Sequence, residues 1–236
     1  MQACEGCKML IFFDLETTGL EREDKIVSCA LITDNGVRIY EYINEGKKIP
    51  PKASAIHHIT NEMIKDKKPF TQSGMYRFLS ENNSEENTLI AHNVKFDLGM
   101  LSGAGFVWRG KVVDTLRVTK HLIPECELFS LQVLRYELKL YKQETQALAA
   151  HDAIADAEVV KHLYEYLLEF ASLEQMYELS FKNVLLQKLE FGKYAGSYIE
   201  EIVMKDRGYL EWMLGNILDL DEDLRYSIVY YLEGNR

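Results

Sequence analysis

Short apolar runs separated by turn residues occupy the first part of the chain. Residues 10–13 form a continuous apolar run, which is typical of a strand buried on both faces. Residues 26–32 predict a second strand, and residues 37–43 alternate like a third. Between the second and third runs, Asp34-Asn35-Gly36 predicts a hairpin turn, because Asn and Gly tolerate positive φ. The pattern therefore predicts a three-stranded antiparallel meander.

Strands and helices alternate later in the chain. Apolar runs at residues 88–91 and 112–113 predict two further short strands. Asn93 is suited to cap a helix after the first of them, and Pro50-Pro51 breaks the chain before it. The expected helical segments are residues 60–63, 70–79, 93–103, 116–122, 130–138 and 153–170. A meander followed by alternating strands and helices predicts an α/β domain with a mixed sheet.

The composition shifts near Ser172, which divides the chain into an expected domain at 9–172 and a small module at 173–236. The module is expected to be mostly helical. Its expected parts are a helical segment at 173–189, a Gly-rich piece at 191–196 and short helices at 209–214 and 221–232. Seven basic residues stand against twelve acidic ones beyond Ser172, so this tail is not a basic arm.

Charge and hydropathy exclude several classes of protein. The net charge of −10 argues against binding nucleic acid by bulk attraction to phosphate, although bound metal ions or a local basic patch can supply that attraction. One small basic excess lies in residues 108–142, where a solvated helix face is an equal explanation. No apolar run approaches the roughly 20 residues of a membrane span, and no signal-peptide pattern opens the chain. The expected compartment is the cytoplasm.

The cysteines do not predict a zinc site. Cys4 and Cys7 have the spacing of half such a site, but no second close Cys/His pair follows. We therefore expect no zinc and reduced thiols, including Cys29 in a strand and Cys126 in a loop.

Two carboxylates follow the first apolar run. Asp14 and Glu16 are two residues apart, so on a strand they point the same way, with about 6.6 Å between their Cα atoms. Two buried carboxylates side by side are strongly destabilising unless a cation lies between them. A divalent metal is the simplest such cation. The alternative is that Asp14 only caps the strand and Glu16 opens a Thr-Thr-Gly turn.

Other polar residues occur where they could join this pair. His92 and Asp114, like Asp14, directly follow apolar strand runs, and ligands bind at strand ends in such sheets. Asp152 and Asp156 are four apart and share a helix face. His151 can serve the same site as Asp156 only from the loop before the helix. Asp152 is then a natural N-cap, although it could also compete with Asp156 for a metal.

These residues resemble the motifs of the DEDD 3′–5′ exonucleases, the DnaQ-like family. Residues 13–20, FDLETTGL, are similar to the first motif, and residues 92–97, HNVKFD, to the second. His151-x-Ala-x-x-Asp156 matches the third motif in its His form, DEDDh. Residues 55–60 and Asp114-Thr115 also stand where the family has them. Several motifs in order are a specific signal. The resemblance implies an RNase H-like fold with a mixed five-stranded sheet flanked by helices.

The resemblance also implies the roles of the site residues. Four carboxylates would hold two Mg²⁺ or Mn²⁺ ions, which prefer hard oxygen ligands, and His151 would be the general base. The implied metal ligands are Asp14, Glu16, Asp97 and Asp156. The implied contacts to the 3′-terminal nucleotide are Leu15, Thr17, Leu20, His57, His92, Asn93 and Phe96. Alternatively, Leu20 and Phe96 are core residues and Asn93 is only an N-cap.

The implied activity is metal-dependent removal of mononucleotides from DNA 3′ ends, in repair or proofreading. The alternatives are the same chemistry on RNA, as in the oligoribonuclease and RNase T branches, or a polymerase-associated binding subunit that has lost catalysis. The tail adds a second resemblance. Residues 191–194, FGKY, and residues 206–212 are similar to the C-terminal module of exodeoxyribonuclease X-like enzymes, with a repair or replication protein as a possible partner. Ser197 replaces an expected basic residue, which counts against nucleic-acid binding by the tail.

Overall fold

The computed structural model describes residues 8–126, 128–144 and 150–234. These residues form two compact units, one ending at Ser180 and the other beginning at Phe181. The first unit is built on a sheet. The strands in the described part are β1 (Leu10–Thr17), β2 (Ile26–Thr33), β3 (Arg38–Tyr42), β4 (Thr88–Ala91) and β5 (Lys111–Asp114).

The sheet has the order β3-β2-β1-β4-β5. β1, β2 and β3 pair antiparallel, and β4 and β5 continue the sheet parallel to β1. The predicted mixed sheet of an antiparallel meander plus parallel strands is therefore confirmed. Gly36, in the turn between β2 and β3, has φ of 91°, which is the conformation that the Asn-Gly signal predicts.

Helices flank this sheet and also make up most of the second unit. Within the first unit the helices are α1 (Pro51–His57), α2 (Asn61–Ile64), α3 (Gly74–Glu81), α4 (Val94–Gly103), α5 (Thr115–Leu122), α6 (Leu131–Glu137), α7 (Ala153–Leu167) and α8 (Leu173–Phe181), the last of which ends at the boundary. The second unit contributes α9 (Ile199–Asn216) and α10 (Glu222–Gly234). No helix among the described residues is both long enough and apolar enough to cross a bilayer.

Alternate side chains of β1 enter two different cores. Phe12 packs in the core beneath α7, whereas Ile11 and Phe13 pack in the core on the opposite face. Burial on both faces explains why the run is apolar without interruption. β1 continues to Thr17, so Asp14 and Glu16 lie within the strand, and the alternative in which Asp14 caps it is wrong. By the two-residue period, both carboxylates project on the same face as Phe12, toward α7.

Three helical predictions differ from the structure. The segment at 70–79 is a 3₁₀ turn followed by α3, because the hydroxyl of Ser73 accepts the N–H of Tyr76 and starts a new helix. α1 lies where Pro50-Pro51 predicts a break in the chain, because proline is also favourable at the first position of a helix. In the tail, the helix predicted at 173–189 ends earlier, as α8 at Phe181, and the helix predicted at 209–214 begins earlier, as α9 at Ile199.

The boundary between the units lies at 180/181 instead of 172/173. α8 was expected in the tail module, but its Met176 is fully buried in the core beneath α7. Ser180 Oγ, also buried, accepts the N–H of Asp114 at the end of β5 (2.9 Å) and donates to the carbonyl of Met176 (2.6 Å). Residues 173–180 therefore complete the first unit. Cys29 and Cys126 are free and buried, and Cys4 and Cys7 lie outside the described residues.

We expect Ser180→Ala to lower the free energy of unfolding by about 1–3 kcal/mol, because the buried N–H of Asp114 loses its acceptor. Chemical denaturation monitored by circular dichroism measures the change. Ser80→Ala, at an exposed position of α3, is the matched control and should change little. Equal effects of the two substitutions would show that α8 is not attached through this hydrogen bond.

Candidate active site

The two carboxylates of β1 lie in a strongly negative environment. Burial raises the pKa of Asp14 well above its usual range, and the charges of Asp156, Asp97 and Glu16 raise it further. Burial, followed by Asp156 and Asp152, raises the pKa of Glu16 from 4.5 to about 8. The carboxylates predicted from separate motifs therefore act on one another electrostatically.

The start of α4 brings Asp97 to this region. Asn93 precedes the helix in the left-handed conformation (φ 68°), and its N–H donates to Asp114 Oδ1 (3.1 Å). Asp114 also caps α5, accepting the N–H of Leu116 (3.0 Å), so one carboxylate fixes the beginnings of two helices. Asp97 follows in the first turn of α4 and is buried. Burial raises the pKa of Asp97, and nearby Asp114 and Glu16 raise it further.

The start of α7 supplies the last two predicted residues. Asp152 is the N-cap and accepts the N–H of Ile154 (3.3 Å), as the sequence predicted. His151 lies before the helix in the left-handed conformation (φ 58°), and its N–H donates to Asp156 Oδ2 (3.1 Å). Burial raises the pKa of Asp156 to about 6, although the proximity and N–H of His151 oppose that rise.

Glu16, His151 and Asp156 converge most closely. One potential ligand atom from each of them lies within 4.8 Å of the other two. Residues from β1 and α7, more than 130 positions apart in the sequence, thus meet in a single cluster. The charges of Asp156 and Glu16 raise the pKa of Asp14, and the charge of Glu16 raises the pKa of Asp97, so both aspartates interact with this cluster.

The donor set fits a hard divalent cation. Its carboxylate oxygens are the ligands that Mg²⁺, Mn²⁺ and Ca²⁺ prefer. In the described part of the chain, none of the four carboxylates has a Lys or Arg within ion-pair distance. The raised pKa values are what such an uncompensated cluster produces.

A positioning network for Asp156 was missed from the sequence. Gln132 of α6 donates through Nε2 to Asp156 Oδ1. Arg135, one turn later, donates to Gln132 Oε1 (3.1 Å) and makes two hydrogen bonds to Glu144 (2.6 and 2.7 Å). Both Asp156 oxygens are thus held, one by Gln132 and one by His151. Only the i, i+3 spacing of Gln132 and Arg135 could have suggested this pairing, and that spacing is common on helices.

The residues predicted to contact a nucleotide have different environments. Leu20 is 82% exposed, so its interpretation as a core residue is wrong. Phe96 is partly buried against the core opposite α7. Leu15 and Thr17 are buried, and the Thr17 hydroxyl donates to the carbonyl of Gly19 (2.6 Å).

His57 and His92 differ in what their rings offer. His57 is buried, its Nδ1 accepts the N–H of Ile59 (3.0 Å), and its Nε2 has no hydrogen-bond partner among the residues that the structure describes. Both ring nitrogens of His92 are engaged within the protein, with Thr115 Oγ1 (3.0 Å) and the carbonyl of Phe129 (2.7 Å). Burial lowers the pKa of His92 to about 4. The ring of His92 joins the end of β4 to α5 and to the segment before α6, and its predicted contact with a nucleotide stays a prediction.

Asn93 occupies the N-cap position, but its side chain makes no capping hydrogen bond. Its backbone N–H instead donates to Asp114, and its exposed side-chain amide takes no part in capping. The interpretation of Asn93 as an ordinary N-cap thus holds for its position and fails for its side chain.

Comparison with known proteins identifies the family. A family model described as an exonuclease matches residues 11–164. The chain belongs to the exonuclease family. The membership predicted from the motifs is therefore confirmed, and with it an enzyme that hydrolyses phosphodiester bonds. A second model, described as an exodeoxyribonuclease X-like C-terminal domain, matches residues 189–217 in the second unit.

Individual exonucleases are similar over much or all of the chain. Exodeoxyribonuclease 10 of Escherichia coli is 26% identical over 230 residues, which cover 96% of this chain and all of that protein. The DNA polymerase III epsilon subunit of Treponema pallidum is 31% identical over 66% of this chain and 74% of its own length. A solved structure of exonuclease X with 5′ overhanging duplex DNA superimposes with a TM-score of 0.60 at 26% identity. This match covers 72% of the present chain and 99% of the exonuclease X chain.

We expect Glu16→Gln to stabilise the metal-free protein in a pH-dependent way. Glu16 holds its proton up to a pH of about 8 when folded but loses it near 4.5 when unfolded, so the free energy of unfolding falls as pH rises through this window. Glutamine removes that penalty. In EDTA at a pH of about 8 the substitution should add about 1–3 kcal/mol, allowing for solvent screening at this partly exposed group, and near a pH of about 4 it should add nothing.

Denaturant titrations at the two pH values measure the effect, with Glu85→Gln on an exposed loop as the control. A gain in stability that did not change with pH would show that the pKa of Glu16 is not raised in the folded protein.

Proposed function

We propose that the chain is a metal-dependent 3′–5′ exonuclease that releases mononucleotides from DNA ends. The observation that carries this proposal is the convergence of Glu16, Asp156 and His151, with Asp14 and Asp97 electrostatically coupled to them. These five residues combine a site for hard cations with an imidazole beside it. A binding subunit without catalysis has no need to retain all five.

In this proposal Asp14, Glu16, Asp97 and Asp156 hold two divalent cations, Mg²⁺ or Mn²⁺. Bound cations stabilise the attacking and leaving oxygens of an in-line phosphoryl displacement. The protein supplies four carboxylates whose raised pKa values fall when a cation binds. Gln132 and the N–H of His151 fix the orientation of Asp156 before any cation arrives.

His151 is the proposed general base. Its side chain is exposed, and its left-handed backbone turns the residue away from the helical path of α7. An imidazole in reach of the carboxylate cluster can take a proton from the attacking water near neutral pH. The N–H of His151 bonded to Asp156 keeps the base in register with a metal ligand.

The nucleotide contacts are proposed from the side of the cluster where β1 ends. Leu20 offers an exposed apolar surface there, and Phe96 a partly exposed ring that can pack against a base or sugar. The Nε2 of His57 has no hydrogen-bond partner among the described residues and is proposed to bond to the nucleotide. Leu15 and Thr17 contribute mainly backbone, and Asn93 offers a free amide. His92 contributes by holding the strand end in place.

DNA is the proposed polymer, in repair or proofreading. The similar proteins include an exodeoxyribonuclease, a DNA polymerase III epsilon subunit and an exonuclease X solved with duplex DNA. The carboxylate cluster does not distinguish deoxyribose from ribose, because a 2′-OH is recognised by contacts with residues around the sugar.

We expect the protein to shorten 5′-labelled single-stranded DNA from its 3′ end in Mg²⁺, with mononucleotides as the product. EDTA should abolish the reaction, Mg²⁺ should restore it and Zn²⁺ should not restore it to the same level, because hard oxygen ligands suit Mg²⁺. Asp14→Asn should lower kcat by at least about 10²-fold. Gel assays on matched DNA and RNA oligonucleotides measure these effects. Faster loss of RNA would contradict the DNA assignment, and no metal-dependent loss of either would contradict the nuclease assignment.

We expect His151→Ala to lower kcat by about 10²–10⁴-fold while metal affinity changes little. Asp156→Asn should instead weaken metal binding. Asp152→Asn is the control, because asparagine also caps helices and should preserve both properties. Calorimetric titration with Mn²⁺ and single-turnover cleavage separate the two effects. Collapse of metal affinity in His151→Ala, or a loss in Asp152→Asn as deep as in Asp156→Asn, would reverse these roles.

A further inference from the structure

Three aromatic rings form a ladder in the second unit, which the proposed chemistry does not use. Tyr194 meets Tyr209 edge-on, with ring centroids 5.2 Å apart and an interplanar angle of 78°. Tyr209 is then stacked on Trp212, with centroids 6.0 Å apart and an angle of 24°. Trp212 ends the ladder on α9 and is 52% exposed. An indole of this exposure offers surface for another flat ring to stack on.

The Gly-rich segment and a kink in α9 build this ladder. Gly192 has φ of 80°, and a Cβ there would lie 2.4 Å from Tyr209 Oη, so only glycine allows this approach. Asp206 interrupts α9 with φ −154° and ψ 61°. Its carboxylate accepts hydrogen bonds from Tyr194 Oη (2.8 Å) and Lys193 Nζ (2.9 Å). The FGKY segment is thereby fixed against the two halves of α9.

Lysines lie over the tyrosine rings beside the ladder. Lys193 Nζ is 4.8 Å from the centroid of Tyr194, and Lys205 Nζ is 5.6 Å from the same ring. Lys188 Nζ is 4.7 Å from the centroid of Tyr198, its partner in an isolated antiparallel bridge. We call the surface made by these residues and the ladder the tyrosine–lysine face; its members are Lys188, Lys193, Tyr194, Tyr198, Lys205, Tyr209 and Trp212.

Two lysines of the tyrosine–lysine face lack an ion pair within the described part of the chain, although the module is acidic. Asp206 is paired with Lys193, and Glu211 with Arg207. Lys188 and Lys205 are exposed, and neither has a carboxylate within ion-pair distance among the described residues. Their two ammonium groups therefore remain available to an anion.

We propose that the tyrosine–lysine face binds single-stranded nucleic acid, with a base stacked on Trp212 and phosphates beside Lys188 and Lys205. Stacking on aromatic rings tolerates any base, and exposed lysines beside the rings can contact the phosphates of the backbone. The proposal rests on the proposed function, because the polymer that the first unit cleaves is the one this face would hold. Lys188 and Lys205 supply the positive charge that Ser197 does not.

Binding can be tested without catalysis on the full chain in EDTA, with oligothymidylate of about 20 nucleotides as the probe. The fluorescence of Trp212 should be quenched as the probe binds, while Trp108 is only 9% exposed and should respond little. Trp212→Phe should lose most of the quench and keep its affinity, measured by anisotropy of a labelled probe. Trp212→Ala should weaken binding about tenfold.

The matched control is Tyr230→Ala on α10, because Tyr230 is also 52% exposed but lies outside the tyrosine–lysine face. The double variant Lys188→Gln, Lys205→Gln should reduce the slope of log Kd against log salt by about 1.4, because each of the two lost phosphate contacts contributes roughly 0.7 on single strands. These two exposed lysines can be replaced without disturbing the core.

Equal affinity of Trp212→Ala and Tyr230→Ala for the probe, or an unchanged salt slope in the double lysine variant, would overturn the proposal. A protein would then be the more suitable partner for this surface. Cleavage in Mg²⁺ is measured separately. Trp212-dependent quenching without cleavage would support the face and contradict the proposed function, whereas cleavage without such quenching would overturn the face alone.

Discussion

The mutual repulsion of buried carboxylates is the constraint on which the rest of the first unit depends. Asp14, Glu16, Asp97 and Asp156 each have a raised pKa, and for each of them burial is the largest cause and neighbouring carboxylates contribute. Such a cluster opposes folding unless the surrounding structure holds it together. The two cores on either side of β1 supply that support, because the strand is buried on both faces before it reaches the carboxylates.

Backbone groups hold the cluster as much as side chains do. The N–H of His151 and the amide of Gln132 bind the two oxygens of Asp156, and Asp114 binds the N–H of Asn93 at the head of α4. Two non-glycine residues, Asn93 and His151, adopt the left-handed conformation at the starts of the helices that carry Asp97 and Asp156. That conformation is rarely adopted without compensation, and here the compensation is a hydrogen bond from each residue to an aspartate.

Local pattern was enough to predict the strands and the first pair of carboxylates, whereas the role of Asp97 came from the resemblance to the DEDD exonucleases. The apolar run, the Asn-Gly turn and the period of two indicate β1 to β3 and place Asp14 and Glu16 on one side. Contacts between distant segments were not predictable in the same way. The sequence does not show that the ring of His92 is engaged by Thr115 and Phe129, nor that Gln132 reaches Asp156. Similarly, α8 has the composition of the tail, yet a hydrogen bond from Asp114 joins it to the first unit.

The alternation of β1 has an evolutionary consequence. Phe12, Asp14 and Glu16 share one face of the strand, and Ile11, Phe13 and Leu15 share the other. Loss or gain of a single residue between Phe12 and Glu16 would invert the faces of the residues after the change relative to those before it, so that the acidic side chains would face the apolar core opposite α7. Changes of length in this segment are therefore compatible with the fold only in steps of two, whereas the exposed loop after Leu20 has no such restriction.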